Sequence, residues 1–472
     1  MEDYKYSGAE LVIHETVKKE QESGLYDIKL DGIGLYHFIK RGLRTWLLHC
    51  NGYEISYNLP SLPKSKYKKV VWKSFWQLIG LLLKGKKYNN FIYAFRTDKI
   101  NGVYMDKFTD PLIEYSDVGK SYIIFEGGRN GIHNSPRVHS DKVVYADAID
   151  WFASILAKRK LKQKNCEYHK KWDELKCVIE KTFPETDLSK TNYKYYIIKG
   201  LYIVKIYRHI FKRLRIKNFI APARASFFHL IPAAKQQGIK VFELQHGANY
   251  GLNRMYAGRI DYDNLFMPDR FLTYGGFSDI SYNAFGLLRE DYIEIGWAFV
   301  NYLKTIKQEK ISDGFDQRVL FISDLVIAEP RQKFWEHLKF LASQNPSVLF
   351  YYRPHPEETL NESQKEELTL NGNIVIDDVS ESIYTEIMKF DNVIGINSTG
   401  LYDALNLGKK VGRFSIRGVC EPRFLSEEDE QFFYVISDTE SFVKFINSPE
   451  DLKPKKIVYK SFNANVFNNE LL

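Results

Sequence analysis

The sequence predicts an α/β protein built from two doubly wound domains, each a parallel sheet covered by helices. Three observations predict it. Short runs of β-branched and apolar residues alternate with longer helical patterns, as strand–helix–strand units require. The runs fall into two sets, separated by a polar stretch at 301–314. The length, 472 residues, suits two or three domains, and a chain 44% hydrophobic and 27% charged is globular, which excludes disorder and collagen-like structure.

In chain order, residues 26–30 read as a strand that runs out at Asp31-Gly32-Ile33-Gly34 and opens a helix carrying Leu35, Phe38, Ile39 and Leu43. Further strands are expected at 91–95, 122–125, 219–221, 241–244, 271–274 and 292–295, with a helical insertion over about 150–217. These make an N-terminal domain over 1–300. The second set is more regular. Strands are expected at 318–323, 348–353, 373–376, 392–397, 411–414 and 433–436. The helices between them fall at 331–344, 363–370, 380–390 and 399–407, and another follows at 440–446. In the first of these, Phe334, Leu338 and Leu341 form one stripe. This C-terminal domain covers 315–450, and a tail at 451–472 is expected to return to the first domain.

The formal charge of +8 is unevenly placed. Residues 188–242 hold twelve Lys/Arg and no acid; residues 64–87 hold eight lysines, no acid, and Trp72, Phe75, Trp76 and Leu81 to Leu83. The remainder is net acidic. A basic aromatic segment of this kind suits an anionic membrane surface, and it reads equally as a solvated helix face. No helix-turn-helix, RRM or zinc-finger pattern is present, so no nucleic-acid partner is expected. The N-terminus lacks a signal-peptide layout, and the longest apolar run, 75–83, is far short of the roughly 20 residues that span a bilayer. A cytoplasmic protein is expected. Cys50, Cys166, Cys177 and Cys420 share no CxxC spacing, so neither a zinc site nor a disulfide framework is indicated.

Ligands of open α/β sheets bind outside the carboxyl ends of the strands, so the residues at strand ends matter most. Gln245-His246-Gly247 ends one strand: the imidazole suits a general base or donor, and the glycine lets a ligand approach the backbone. A structural histidine bonded to a carbonyl is the alternative. In Arg353-Pro354-His355-Pro356-Glu357, the prolines fix the backbone around a cation and an imidazole suited to a phosphate or departing nucleotide oxygen. Asn397-Ser398-Thr399-Gly400 ends a strand in hydroxyl residues that cap a helix and suit a phosphate, as they suit any ordinary cap. Asp31 with Gly32 and Gly34 offers a base beside a close-approach turn, or a simple N-cap. The glycine-rich loop 126–131 is less specific. No HExxH or GxSxG element appears, so neither zincin-type hydrolysis nor esterase chemistry is supported.

Taken in order, Gln-His-Gly, Arg-Pro-His-Pro and Asn-Ser-Thr-Gly on two Rossmann-like domains facing a cleft resemble the GT-B glycosyltransferases. Within that class the chain is similar to bacterial surface-polysaccharide enzymes: sialyl and Kdo transferases, and CDP-polyol phosphotransferases. The resemblance spans 217–415 and implies an inverting, metal-independent transfer from a nucleotide-activated sugar, CMP-linked, to a lipid-linked glycan of capsule or lipopolysaccharide. The nucleotide-sugar is a co-substrate, and no further cofactor is expected. The resemblance implies donor contacts at Arg353, His355, Glu357, Asn397, Ser398, Thr399 and Gly400. It implies catalytic roles for His246, Asp31 and His355, and an acceptor cleft at Gly32, Gly34, Gln245 and Gly247. It also implies a peripheral position at the inner face of the cell membrane. Polyol-phosphate transfer and nucleotide-sugar epimerase or hydrolase chemistry are the alternatives, and a non-enzymatic membrane-surface protein is the third.

Overall fold

The computed structural model describes residues 9–472 apart from 54–61, 95–96, 128–130, 164–165, 190, 248–263, 276–286, 307–313, 325–327, 356–357, 359, 417–430 and 450–458. The predicted Glu357 lies outside the described residues, as does Cys420. The strands are β1 (Lys29–Leu30), β2 (Ile33–Gly34), β3 (Asn90–Ala94), β4 (Asp98–Ile100), β5 (Val103–Met105), β6 (Tyr122–Glu126), β7 (Val143–Tyr145), β8 (Asn218–Pro222), β9 (Lys240–Leu244), β10 (Arg270–Thr273) and β11 (Tyr292–Glu294). They continue with β12 (Gln317–Ile322), β13 (Val348–Arg353), β14 (Ile374–Ile376), β15 (Asn392–Gly395), β16 (Lys410–Phe414) and β17 (Tyr434–Ile436).

The first sheet runs β11-β10-β9-β8-β3-β6-β7 and the second β14-β13-β12-β15-β16-β17. All pairings within both sheets are parallel. Each is doubly wound. The chain starts near the middle, at β3 or β12, moves to one edge, then returns and moves to the other. The order therefore reverses between β3 and β8 and between β12 and β15, where such folds open a crevice.

The first sheet is covered by helices whose periodicity follows from their sequence. They are α1 (Ala9–Glu22), α2 (Lys40–Cys50), α3 (Lys64–Leu83), α4 (Asp110–Tyr115), α5 (Asp147–Leu161), α6 (Glu167–Thr182) and α7 (Tyr193–Leu214). In α7, Ile197, Leu201, Val204 and Phe211 recur at helical spacing and are buried in the core with Phe91, Phe125 and Phe219 of the sheet. Each such side chain contributes roughly 1.5–3 kcal/mol by leaving water. The opposite face of this sheet joins the second sheet in one continuous core, in which Phe242 and Leu244 pack with Leu320, Ile322 and Leu401. A third core fills the outer face of the second sheet around Trp335, Phe350 and Phe442.

Beyond the second sheet, Lys460 N donates to Tyr274 O at 2.7 Å and Trp297 N to Lys460 O at 2.9 Å. Gly296 makes this possible: its φ is +73°, and a Cβ there would sit 2.2 Å from Ser461 O. The last helix, Ala464–Leu471, then meets the amino ends of β8 and β9 through Asn218 Nδ2 to Leu471 O and Lys240 to Glu470.

One local expectation is corrected. Residues 26–30 do not form a strand that opens a helix at Asp31; Leu25–Asp27 is a 3-10 turn, and β1 and β2 form an antiparallel hairpin instead. Asp31 and Gly32 both have positive φ, the geometry of a tight two-residue turn, which returns the chain before a helix can start.

Candidate functional site

The carboxyl ends of β12, β13 and β15 face the first domain across a cleft of about 370 Å³. The wall on the second-domain side is Ile322, Ser323, Arg353 to His355, Val379 to Tyr384, Ser398 to Gly400 and Asp403. The opposing wall is short: Thr97, Asp98, Lys99, Tyr104 and Lys107, from the β4–β5 hairpin that follows β3. The hairpin is pinned across the domain boundary, since Ser382 N donates to Lys99 O at 2.8 Å and Lys99 Nζ lies 2.7 Å from Glu381 Oε1.

Arg353 ends β13, is buried, pairs with the Asp377 carboxylate, and donates from Nη2 to Glu381 O at 2.6 Å. Its guanidinium is thus held in one pose at the cleft wall. The turn carrying His355 is closed by reciprocal bonds: His355 N donates to Glu358 Oε2 at 3.1 Å, and Glu358 N to His355 O at 2.8 Å. Glu358 is buried and also accepts from the Tyr352 hydroxyl at 2.7 Å. It organises the motif from beneath. Asn397 N donates to Asp324 Oδ2 at 2.9 Å, and burial pushes the Asp324 carboxyl above its usual range. The turn at 398–400 lies close on β12: a Cβ on Gly400 would meet Ile322 Cδ1 at 3.2 Å, and one on Gly395 would meet Ile322 O at 2.9 Å. Small residues there let Ser398 and Thr399 reach the cleft.

His246 and Gly247 follow β9. Gln245 is fully buried; its Oε1 accepts from Tyr274 N at 2.6 Å and its Nε2 donates to Gly247 O at 3.0 Å. It braces the loop and does not line the cleft. Gly247 meets the second domain, where a Cβ on it would lie 3.9 Å from Thr399 Cγ2. Burial and the Lys107 charge lower the His246 pKa to about 3, so the ring is neutral at pH 7.

Lys107 is the residue that sequence reasoning missed. Its Nζ donates to the Tyr384 hydroxyl at 2.9 Å and lies 3.5 Å from Asp98 Oδ2. The same hydroxyl donates to Asp403 Oδ2 at 2.9 Å, and burial raises Asp403 to about 6 against the opposing pull of Lys107. No motif marks a lone lysine after a hairpin; only the fold brings it to His246.

The structure therefore brings together Arg353, His355, Ser398, Thr399 and Gly400 as cleft lining; His246 and Gly247 are outside the lining residues, and Gly247 approaches Thr399 from the end of β9. The structure does not bring Asp31. That side chain is 55% exposed, pairs with Lys205 of α7 at 3.0 Å, and lies with Gly32 and Gly34 on the hairpin, outside the residues that line the cleft.

Two doubly wound domains facing a cleft are the GT-B arrangement. No family model matches the chain, and no curated protein matches it. Among solved structures it is similar to the UDP-GlcNAc 2-epimerase of Methanocaldococcus jannaschii in complex with UDP-GlcNAc and UDP, at 12% identity over 82% of this chain and 98% of that one, TM-score 0.46. It is similar to the UDP-GlcNAc 2-epimerase of Neisseria meningitidis bound to UDP-GlcNAc, at 12% identity over 81% and 96%, TM-score 0.45. It is also similar to the glycosyltransferase of kitacinnamycin, at 9% identity over 77% and 92%, TM-score 0.41. These likenesses assign no activity to the chain.

Proposed function

We propose that the chain is a glycosyltransferase that moves a sugar from a nucleotide-activated donor, CMP-linked, to a glycan acceptor of the cell surface, with inversion and without a metal. One observation carries this reading: Lys107 of the first domain and Arg353, His355 and Ser398 of the second converge on one cleft, and the Lys107 charge acts on the neutral ring of His246. A departing nucleotide develops negative charge on its phosphate. Arg353 and Lys107 are fixed by their partners before the reaction, so they stabilise that charge without reorganising. Ser398, Thr399 and His355 supply hydrogen bonds to the same oxygens. A donor phosphate in the cleft offsets the Lys107 charge, which raises the basicity of His246 as the acceptor hydroxyl loses its proton.

The acceptor side supports a lipid surface. On α3, Trp72 is 61% exposed, Trp76 63% and Leu83 77%, among the lysines of 64–87. Trp151 and Phe152 of the adjoining α5 and Tyr196 of α7 extend the patch. Aromatic rings among lysines match the headgroup region of an anionic membrane. Among the described residues, no helix is long and apolar enough to cross a membrane.

The test is a thermal-shift series with CMP-, CDP- and UDP-activated sugars, with and without chelator. A rise in Tm with the CMP-linked donor, unaffected by chelator, is expected. A rise with UDP-linked donors only would move the nucleotide assignment, and silence across the series would overturn the reading.

A further inference from the structure

The carboxyl edge of the first sheet carries a second charged cluster, on the face away from the cleft. Side chains alternate along β9: Phe242 and Leu244 belong to the core shared with the second domain, Val241 to the core beneath α7, and Glu243 points with Val241. Arg224 follows β8 by two residues, as His246 follows β9, and Pro222 pairs with Leu244 in register. The chain therefore leaves the same end of the sheet on paired strands just before Arg224 and just before His246. Arg224 N donates to Glu243 Oε1 at 2.7 Å, and its Nε lies 3.7 Å from Glu243 Oε2.

His37 and Lys40 stand beside it. His37 is 8% exposed, and its ring stacks on Phe266 with centroids 4.1 Å apart. Its Nε2 is buried with no hydrogen-bond partner among the described residues. Lys40 has no carboxylate within ion-pair distance among the described residues. The acid whose charge acts on it, Glu20, is engaged by Arg44 at 2.6 and 2.7 Å and by the Tyr26 and Tyr36 hydroxyls. Burial, then Arg44 and Arg224, lower Lys40 to about 7, and burial with the surrounding cations holds His37 well below its ordinary value. A buried ring nitrogen without a partner beside crowded like charges is costly, and an anion with several acceptor oxygens relieves both costs when that nitrogen carries the ring proton.

We propose that His37, Lys40 and Arg224 bind a phosphate group of the acceptor, whose hydroxyl end reaches over the ends of β8 and β9 to His246. This rests on the transferase reading. Lys40 and Arg224 pair with the phosphate charge, and His37 Nε2 donates to one of its oxygens. The helices that carry the exposed aromatics, α3, α5 and α7, cover this same face of the sheet, so a lipid-borne phosphate enters from the side where the lipid lies.

The experiment uses the full chain and two probes: inorganic pyrophosphate, followed by Tm and calorimetry, and phosphatidylcholine vesicles doped with polyprenyl phosphate, followed by co-sedimentation. Lys40→Gln is expected to weaken pyrophosphate binding about tenfold. It is also expected to keep or raise the Tm of the unliganded protein, which a structural lysine would not do. Arg224→Lys provides a second variant that keeps the charge beside Glu243, and it is expected to weaken binding in the same sense. Unchanged pyrophosphate affinity in both variants overturns the site. Weakened vesicle binding in Lys40→Gln supports a lipid-borne phosphate; weakened pyrophosphate binding with unchanged vesicle binding supports a soluble phosphorylated acceptor and overturns the lipid source. If nucleotide-sugars bind while pyrophosphate is insensitive to Lys40, this site alone fails. If pyrophosphate binding depends on Lys40 while no nucleotide-sugar binds, the transferase reading fails and the anion site stands.

Discussion

Lys107 Nζ donates to the Tyr384 hydroxyl at 2.9 Å, so a cation that lines the cleft comes from one domain and is aimed by the other. Tyr384 in turn donates to Asp403, and Ser382, two residues earlier, bonds Lys99 of the hairpin that leads to Lys107. The domain boundary is thus fastened at the point where the reaction is proposed to occur.

Lys107→Gln keeps a hydrogen-bonding group near Tyr384 and removes the charge. Transfer is expected to fall by about 10²–10³-fold in kcat, the scale of losing one preorganised stabilising group. His246 should also titrate at higher pH in the variant, because a charge that opposes its protonation is gone. A pH–rate profile and the histidine NMR titration check both statements.

Arg353 is expected to act mainly through the donor. Arg353→Lys retains the charge but cannot keep both the Asp377 pairing and the bond to Glu381 O. Donor affinity should drop by about tenfold or more, with acceptor KM unchanged. Equal losses for donor and acceptor would assign Arg353 to the frame of the domain instead.

Asp110 gives a pH signature for stability. Its Oδ2 accepts from Asp106 N at 2.7 Å and Arg137 lies 3.6 Å away, yet burial raises it from 3.8 to about 8. Between those values the unfolded chain has released this proton and the folded chain has kept it, so its contribution to stability falls as pH rises from about 4 to about 8. His133 points the same way. Burial opposes its charge, but bonds to Asp147 at 2.7 Å and Glu126 at 2.6 Å raise its pKa, so the stabilisation present below 6.5 is lost as pH rises through the folded value. In Asp110→Asn the Tm should fall less between pH 5 and 8 than in the wild type, read by calorimetry. A Tm difference between the two that does not vary with pH would contradict this.

The aromatic patch gives a binding prediction. Trp72→Ser with Trp76→Ser should leave Tm unchanged, because both rings are exposed, and should cut binding to anionic vesicles about tenfold or more. Binding to neutral vesicles should be weak in both proteins.

Much of the fold was legible because its strands are continuous apolar runs, as strands buried on both faces must be. β13 lies at 348–353 as expected, β8 and β9 extend the expected runs by one or two residues, and β12 is shifted by one residue towards the N-terminus. The short strands β4, β5 and β7 were not legible, whereas the equally short β11, β14 and β17 were, because those three fall where the strand–helix alternation calls for a strand. The 26–34 segment misled because Asp-Gly serves equally as a helix start and as a hairpin turn, and only the positive φ at both residues decides. In the candidate site, Arg353, His355 and Ser398 were visible because they sit in motifs at strand ends. Lys107, Tyr384 and Asp403 were not, since their juxtaposition depends on how the two domains meet. Gln245 was read as a cleft residue because its position at a strand end is visible in sequence, while the backbone groups it bridges belong to other segments.

The most direct test is sugar transfer by His246→Ala. The variant should bind the nucleotide donor as the wild type does and lose transfer by about 10²–10⁴-fold, the contribution of a positioned general base. Transfer at the wild-type rate by a folded His246→Ala protein would contradict the assignment of this cleft as the site of reaction.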